Sequence, residues 1–364
     1  MRLLAFPLAA LLLSAAHCLS PSRIPRRALL LSSAVILPLG IRTYIHGPAP
    51  YAVPPLPPRT VVVTGANTGL GKETAARLAN SGARVFLCSR DEARGRKAVE
   101  EVERGIPEGS GGSAELLLLD LADLGSIDRA AEDLKKRTKV VDVVINNAGV
   151  MAIPEFSKTK DGFEKQVGIN HLGHFRFTKD IFPLLAQSKN GRIINLSSSA
   201  HNIGTKASIE ALSTPSAESY TPWGTYGQSK LANVLFTDEL DRRLKSAGMD
   251  NLSAVSVHPG VVSTDLARYI VKNSDAPLSS LPDASSFLES ATASVAKFFL
   301  RPVDRGASTQ IFLAAEPDLR SRGGEYWTNN KIGKKNKVAE DKELAKSLWE
   351  QSEALVGKFD VAKK

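Results

Sequence analysis

The sequence predicts an α/β fold: one domain built on a doubly wound parallel sheet with helices on both faces. Three observations carry this expectation. From Arg59 onward, short apolar runs alternate with helical stretches. The runs lack polar alternation, as strands buried on both faces do. A glycine-rich loop, "TGANTGLGK" at 64–72, joins the first run to the first helix. Strands that alternate with helices require crossover connections, and therefore parallel pairing.

The elements follow in order. "RTVVVTG" (59–65) is a β-branched run ending in glycine, and "KETAARLANSG" (72–82) is helical with Gly82 as its stop. "RVFLCS" (84–89) is the second strand and "EARGRKAVEEVERG" (92–105) the second helix. "AELLLLD" (114–120) gives a third strand after the loop "PEGSGGS". "SIDRAAEDLKKRT" (126–138) is a helix and "VVDVVINNAG" (140–149) a fourth strand. "RIINLSS" (192–198) and "SAVSVHPG" (253–260) complete the strands, and no internal repeat is visible. "DKELAKSLWEQSEALVG" (341–357) reads as an amphipathic closing helix with Leu344, Leu348 and Leu355 on or near one face.

Ahead of this lies a different kind of sequence. Residues 1–58 read as a targeting leader and proline-rich linker, 59–330 as the folded domain, and 331–364 as a basic loop and helix. The first 60 residues hold six arginines, no acid and ten of the twenty prolines. Of the net charge of +9, only +3 therefore belongs to the rest of the chain. That distribution argues against nucleic acid as a partner. "MRLLAFPLAALLLSAAHC" has the make-up of a signal peptide, and a second apolar run, "RRALLLSSAVILPLG" (26–40), follows twin arginines. The second run has about 14 apolar residues, short of the roughly 20 a membrane span needs. A bipartite plastid leader is the favoured reading. An endoplasmic-reticulum membrane anchor and a start upstream of the true one are the alternatives. Membrane association would run through this leader. The tract "APYAVPPLPP" (49–58) is expected to be extended with little packing.

The two cysteines, Cys18 and Cys88, exclude a disulfide scaffold. His171 and His174 are three apart, but no third ligand is evident, so no metal site is expected. The sequon at Asn195 falls inside a strand and should be buried.

The three glycines of the loop, Gly65, Gly69 and Gly71, permit a tight turn. They let backbone approach a pyrophosphate that the following helix N-terminus attracts. Asn67, Thr68 and Leu70 complete the loop. This is the junction at which Rossmann-type sheets hold dinucleotides. The second strand ends in Ser89 and Arg90 rather than in the acid that holds a ribose 2′-hydroxyl. An arginine there suits a 2′-phosphate and favours NADP(H). Asp91 reads as a helix cap.

At this point the residues resemble a family. "TGANTGLG", "LDL" (119–121), "NNAG" (146–149), "GINHLGHF" (168–175), "INLSSSAH" (194–201), "YGQSK" (226–230) and "HPG" (258–260) occur in the order found in short-chain dehydrogenase/reductases. "TGANTGLGKETA", "HLGHF" and "YGQSKLANVLF" resemble the retinol-dehydrogenase-like branch, and a chloroplast-envelope, translocon-associated reductase of that branch is also similar. The resemblance implies roles. Tyr226 would be the acid/base, with Lys230 its partner, Ser198 polarising the substrate oxygen and Asn170 completing a proton relay. Asp120 and Leu121 would meet the adenine; Asn147, Ala148 and Gly149 would line the cofactor. Pro259, Gly260, Val262 and Thr264 would meet the nicotinamide end. Ser198 and Tyr226 are 28 residues apart, longer than in compact members, and Ser199 leaves the serine's register open by one.

The chemistry is coherent on its own terms. A lysine one turn from a tyrosine lies on the same helix face, and its charge, together with the positive nicotinamide of the oxidised cofactor, is expected to lower the phenol's pKa. A strand-end hydroxyl can donate to an oxygen as negative charge develops. The implied activity is carbonyl–alcohol interconversion on a small apolar molecule, retinoid-, steroid- or lipid-like, under a lid at 266–300. The alternative is a non-catalytic NADPH sensor or plastid-import subunit. A homo-oligomer is compatible with either.

Overall fold

The structure, a computed structural model, describes residues 47–212, 216–262, 301–317 and 319–361, all within the unit His46–Lys364. Eight strands form one sheet: β1 (Thr60–Val63), β2 (Arg84–Ser89), β3 (Ser113–Leu118), β4 (Val143–Asn146), β5 (Gly191–Leu196), β6 (Leu252–His258), β7 (Tyr326–Thr328) and β8 (Lys331–Ile332). Their spatial order is β3-β2-β1-β4-β5-β6-β7-β8, parallel except for β8 against β7. The chain thus winds outward from β1 in one direction and from β4 in the other. That reversal opens a crevice beyond the carboxyl ends of β1 and β4, where sheets of this kind hold ligands.

β7 and β8 were not expected. They hold three and two residues, too few to show a period. Asn329 and Asn330 turn between them with φ of 54° and 59°, the left-handed region that asparagine tolerates.

The helices are α1 (Gly69–Asn80), α2 (Glu92–Glu103), α3 (Leu124–Arg137), α4 (Gly173–Leu185), α5 (Pro222–Ser246), α6 (Val303–Ala315) and α7 (Lys342–Val356). Successive strand residues face opposite ways. Val61 and Val63 join α1, α2 and α6 in one core, while Val62 joins α3, α4, α5 and α7 in the other. Residues 331–361 are part of this body: Leu344, Leu348 and Trp349 of α7 are buried, and Leu355 is partly buried against them.

The proline-rich tract corrects the expectation of little packing. Residues 47–58 carry no regular secondary structure, yet they are bound along α1 and α6. The Tyr51 backbone N–H donates to Ser308 Oγ at 2.9 Å, and Arg77 Nη2 donates to the Tyr51 carbonyl at 2.6 Å. The Tyr51 ring meets Phe312 edge-on at 5.2 Å, and Leu56 N donates to Ser81 O at 2.7 Å. The donors come from Tyr51 and Leu56, residues that keep the N–H that the prolines around them lack. Residues 1–46, most of the expected leader, and the segment 263–300, with the expected lid and Thr264, lie outside the described residues.

Candidate active site

α5 starts with Pro222 in its first turn, where a missing N–H costs nothing. Residues 229–237 of this helix are buried without interruption, so its polar side chains must find partners inside the protein. Tyr226 and Lys230 are each 4% exposed. Lys230 Nζ donates to Leu196 O at 3.1 Å and lies 5.7 Å from the centre of the Tyr226 ring. Asn233 Nδ2 donates to the same carbonyl at 2.9 Å. Leu196 ends β5, and the next residues swing Ser198 toward α5. The Ser198 side chain hydrogen-bonds the Tyr226 side chain and accepts from Ala200 N at 3.2 Å. Ser199 is exposed, and its backbone N–H donates to His258 Nδ1 at 3.2 Å.

Burial dominates the electrostatics. It pushes Tyr226 up to about 12, and the Ser198 hydrogen bond opposes this only in part. The lowering of the phenol expected from Lys230 does not appear in this pocket, where burial sets the direction. Burial takes Lys230 down to about 8.

Asn170 is fully buried in a widened turn, Gly168–Leu172, ahead of α4. Its side chain accepts from Val150 N at 2.8 Å and donates to Val150 O and Ser229 Oγ, both at 2.9 Å. Ser229 Oγ donates in turn to Tyr226 O at 2.7 Å. A side chain at Gly149 would meet Asn170 Oδ1 at 3.1 Å and Lys230 Nζ at 3.5 Å. Gly149, Asn170, Ser198, Tyr226 and Lys230 thus converge from four separate stretches of chain.

The glycine loop forms the second half of the crevice. Gly65 and Gly69 have φ of 63° and 54°, where residues with a Cβ are strained. A Cβ on Gly71 would come within 2.5 Å of Gly65 O and 2.6 Å of Asn147 Nδ2. The backbone therefore closes on itself and leaves a concave run of N–H groups at the start of α1, a cradle fit for a diphosphate. Asn67 lies in that turn, Thr68 occupies the cap position of α1, and Leu70 sits in its first turn. Asn147 Nδ2 donates to Thr64 O at 2.7 Å, and Ala66 N donates to Cys88 O at 3.0 Å, tying loop to β2.

At the end of β2, Arg90 is exposed and makes no ion pair among the described residues. Asp91 caps α2 by accepting from Arg94 N at 3.0 Å. Beside β3, Asp120 Oδ1 accepts from Ala122 N at 2.9 Å, and Leu121 is buried under Gly173. Pro259 O accepts from Arg301 Nη1 at 2.8 Å, Gly260 (φ 90°) lies against that guanidinium, and Val262 is buried against Gly306. Asn195 is buried, its Nδ2 donating to Thr237 Oγ1 at 2.9 Å. Among the described residues no cluster of three or more His, Cys, Asp or Glu could hold a metal ion.

Sequence reading missed three residues that organise this crevice. Thr64 Oγ1 receives the backbone N–H groups of Asn147 and Ala148, both at 2.9 Å. Gln310 Nε2 reaches from α6 to Leu70 O at 3.3 Å, Asn147 Oδ1 at 3.4 Å and Thr74 Oγ1. His174 joins Thr64 at 2.8 Å. Gln310 is more than 160 residues from each of these partners, beyond any local pattern.

The sequence profile of the short chain dehydrogenase family matches residues 59–275, more than half the chain. The chain belongs to this family. Within it, this short-chain dehydrogenase is retinol-dehydrogenase-like. It is 39% identical to mouse retinol dehydrogenase 14 over 82% of its length and 86% of that protein's. It is 38% identical to human retinol dehydrogenase 11, over 83% and 87% respectively. A solved Mycobacterium paratuberculosis protein is 35% identical and superposes with a TM-score of 0.65, over 86% of this chain and 99% of that one. The short-chain dehydrogenase is thus an oxidoreductase that uses a nicotinamide cofactor on a small-molecule alcohol or carbonyl.

Proposed function

We propose that the chain is an NADP(H)-dependent oxidoreductase that interconverts a carbonyl and an alcohol on an apolar substrate, with Ser198, Tyr226, Lys230 and Asn170 as its proton relay. The observation that carries this reading is the buried Tyr226 hydroxyl, hydrogen-bonded to Ser198 and one turn from buried Lys230. When bound, the cofactor supplies the hydride. Gly65, Asn67, Thr68, Gly69, Leu70 and Gly71 would hold its diphosphate, and Asn147, Ala148 and Gly149 would line it. Asp120 and Leu121 would flank the adenine, with Pro259, Gly260, Val262 and Thr264 at the nicotinamide end. Arg90 supports the choice of NADP(H): it has no partner among the described residues, while Asp91 is occupied as a cap.

In the reducing direction the Tyr226 hydroxyl gives its proton to the substrate oxygen, and Ser198 donates a hydrogen bond to the same atom. A phenol held near 12 stays protonated at neutral pH and is ready to donate. The ammonium of Lys230, present below about 8, balances the phenolate left behind. Asn170 keeps Val150 and Ser229 in register with Tyr226. Support for an apolar substrate comes from three exposed apolar side chains at this end of the molecule. Trp223 meets the Tyr226 ring edge-on at 6.0 Å, Ile203 lies against Gly227, and Val261 follows Gly260. Retinoid-, steroid- and lipid-like carbonyls fit that surface chemistry.

The test follows NADPH absorbance with the full-length protein over a panel of aldehydes and ketones. Tyr226→Phe is expected to lower turnover by about a hundred- to ten-thousandfold while cofactor still binds. Arg90→Ala is expected to weaken NADPH about tenfold and leave NADH unchanged, as loss of one charge-assisted contact does. NADPH binding without turnover on any substrate would instead identify a sensor or an import-associated subunit. Delivery to a plastid through residues 1–58 is part of the proposal. A fluorescent fusion of those residues that stays in the endoplasmic reticulum would overturn it.

A further inference from the structure

His174 is 2% exposed, belongs to no charge pair among the described residues, and bridges Thr64 and Asn170 directly, beside the longer route that joins them through residues 147–150. Its Nε2 lies 2.8 Å from Thr64 Oγ1, and its Nδ1 lies 3.0 Å from the Asn170 backbone oxygen. Proton accounting fixes the direction of both bonds. Thr64 Oγ1 already accepts two backbone N–H groups, from Asn147 and Ala148, each at 2.9 Å. Both hydroxyl lone pairs are thereby used. The hydroxyl proton remains, and its near acceptor is His174 Nε2; Ile145 O is farther, at 3.4 Å. Nε2 is therefore unprotonated. The Asn170 carbonyl can only accept, so Nδ1 carries the hydrogen. A protonated ring would point an Nε2–H at an oxygen with no lone pair left. Burial agrees, taking His174 down to about 3.

The result is a one-way chain. The N–H groups of Asn147 and Ala148 feed the Thr64 hydroxyl, which feeds Nε2, while Nδ1–H feeds the Asn170 carbonyl. One end is the exit of β1, one residue before Gly65. The other is the widened turn Gly168–Leu172, in which the regular helical ladder is broken.

We infer that His174 is a positioning residue that couples the cofactor loop to the proton relay: it sets the Thr64–Gly65 turn through Nε2 and the Asn170 backbone through Nδ1, as a permanently neutral Nδ1–H ring. That role presupposes the relay proposed above. A residue that merely fills space would not separate the two ends; His174 does, because two amides each reproduce one ring nitrogen. Asparagine places its amide nitrogen where Nδ1 stands, and glutamine places its amide oxygen where Nε2 stands.

The experiment measures cofactor dissociation constant and kcat in full-length His174→Asn and His174→Gln, beside the unsubstituted protein. His174→Asn keeps the donor to Asn170 and loses the acceptor for Thr64. Its cofactor affinity is expected to fall about tenfold with kcat within about threefold of the parent, the scale of one buried hydrogen bond. His174→Gln is expected to show the reverse, kcat down about tenfold and affinity retained. Should His174→Asn fail to fold, Thr64→Val removes the Nε2 bond from its other end together with the acceptor of the Asn147 and Ala148 N–H groups, so cofactor affinity is expected to fall by more than about tenfold; retained affinity would overturn the role. If both variants lose affinity and kcat together, or neither changes, the coupling role is overturned and the functional reading stands. If the unsubstituted protein turns over no carbonyl, the functional reading fails first and takes the coupling role with it. The two failures are read on different proteins.

Discussion

On the side of the sheet that carries α1, α2 and α6, the core is made of valine, alanine and other aliphatic side chains, with Trp327 the one aromatic among its buried residues. On the side that carries α3, α4, α5 and α7, seven aromatic rings besides Tyr226 and Tyr326 are buried among the described residues: Phe86, Phe175, Phe177, Phe182, Phe236, Trp349 and Phe359. The rings of Phe175, Phe236, Trp349 and Phe359 touch one another at centroid distances of 5.0–5.9 Å. The contrast follows from what each side does. A crevice that grips a diphosphate with backbone atoms needs small residues, so that loop, strand and helix approach closely. A helix that holds buried Tyr226 and Lys230 in place needs a rigid support, and interlocked aromatic rings supply area and geometry together. One side is built for closeness and the other for stiffness.

The comparison can be broken at its strongest point first. Trp349→Ala is expected to cost about 3–5 kcal/mol of stability, the range for removing a buried large aromatic. Denaturant unfolding measures it, and cofactor affinity of the remaining folded protein should be unchanged. A cost under about 1 kcal/mol would show that the aromatic side is not the stiff one. On the opposite side, Gly71→Ala should do the converse. Its Cβ meets the backbone of Gly65 and Ala66 as well as Asn147 Nδ2, so cofactor affinity should fall by about tenfold or more while the unfolding midpoint moves little. Retained affinity with a large loss of stability would erase the division of labour.

The smallest effect sharpens the comparison where the two sides meet. Lys230 is charged below about 8 and neutral above it. The reduction rate, read as kcat/KM of the free enzyme, should therefore decline as pH rises through about 8. Lys230→Arg keeps its charge to higher pH and should remove that limb at the cost of geometry. His174 should contribute no limb between pH 5 and 9, since its ring stays neutral throughout.

Much of the fold was legible because it is written locally. β2 begins and ends at the expected residues, Arg84 and Ser89, and α2 and α7 start within one residue of expectation. The glycine loop, the Tyr226–Lys230 spacing and Ser198 could also be read in short windows. What escaped is non-local or too brief. Gln310 acts across more than 160 residues and Thr64 across more than 80, β7 and β8 are shorter than a pattern, and His174 carried no local mark of its two bonds. Burial of the phenol escaped for a related reason: spacing reveals a neighbouring charge but not the desolvation that raises Tyr226. Ser198 and Ser199 could not be separated by counting, whereas the turn after β5 directs Ser198 to Tyr226 and leaves Ser199 exposed.

The strip 47–58 sets a limit on how the chain can be matured. Tyr51 and Leu56 are held by α1 and α6, and Arg305 Nη1 reaches Gly47 O at 3.2 Å. The folded body therefore begins more than a dozen residues before its first strand. Any peptidase that shortened the N-terminus without disturbing this body would have to cut ahead of Gly47. A cut within the proline run would strip Tyr51 from Phe312 and uncover α6, the helix whose Gln310 holds the glycine loop. The useful length of the mature protein is thus fixed by a brace that has no secondary structure of its own.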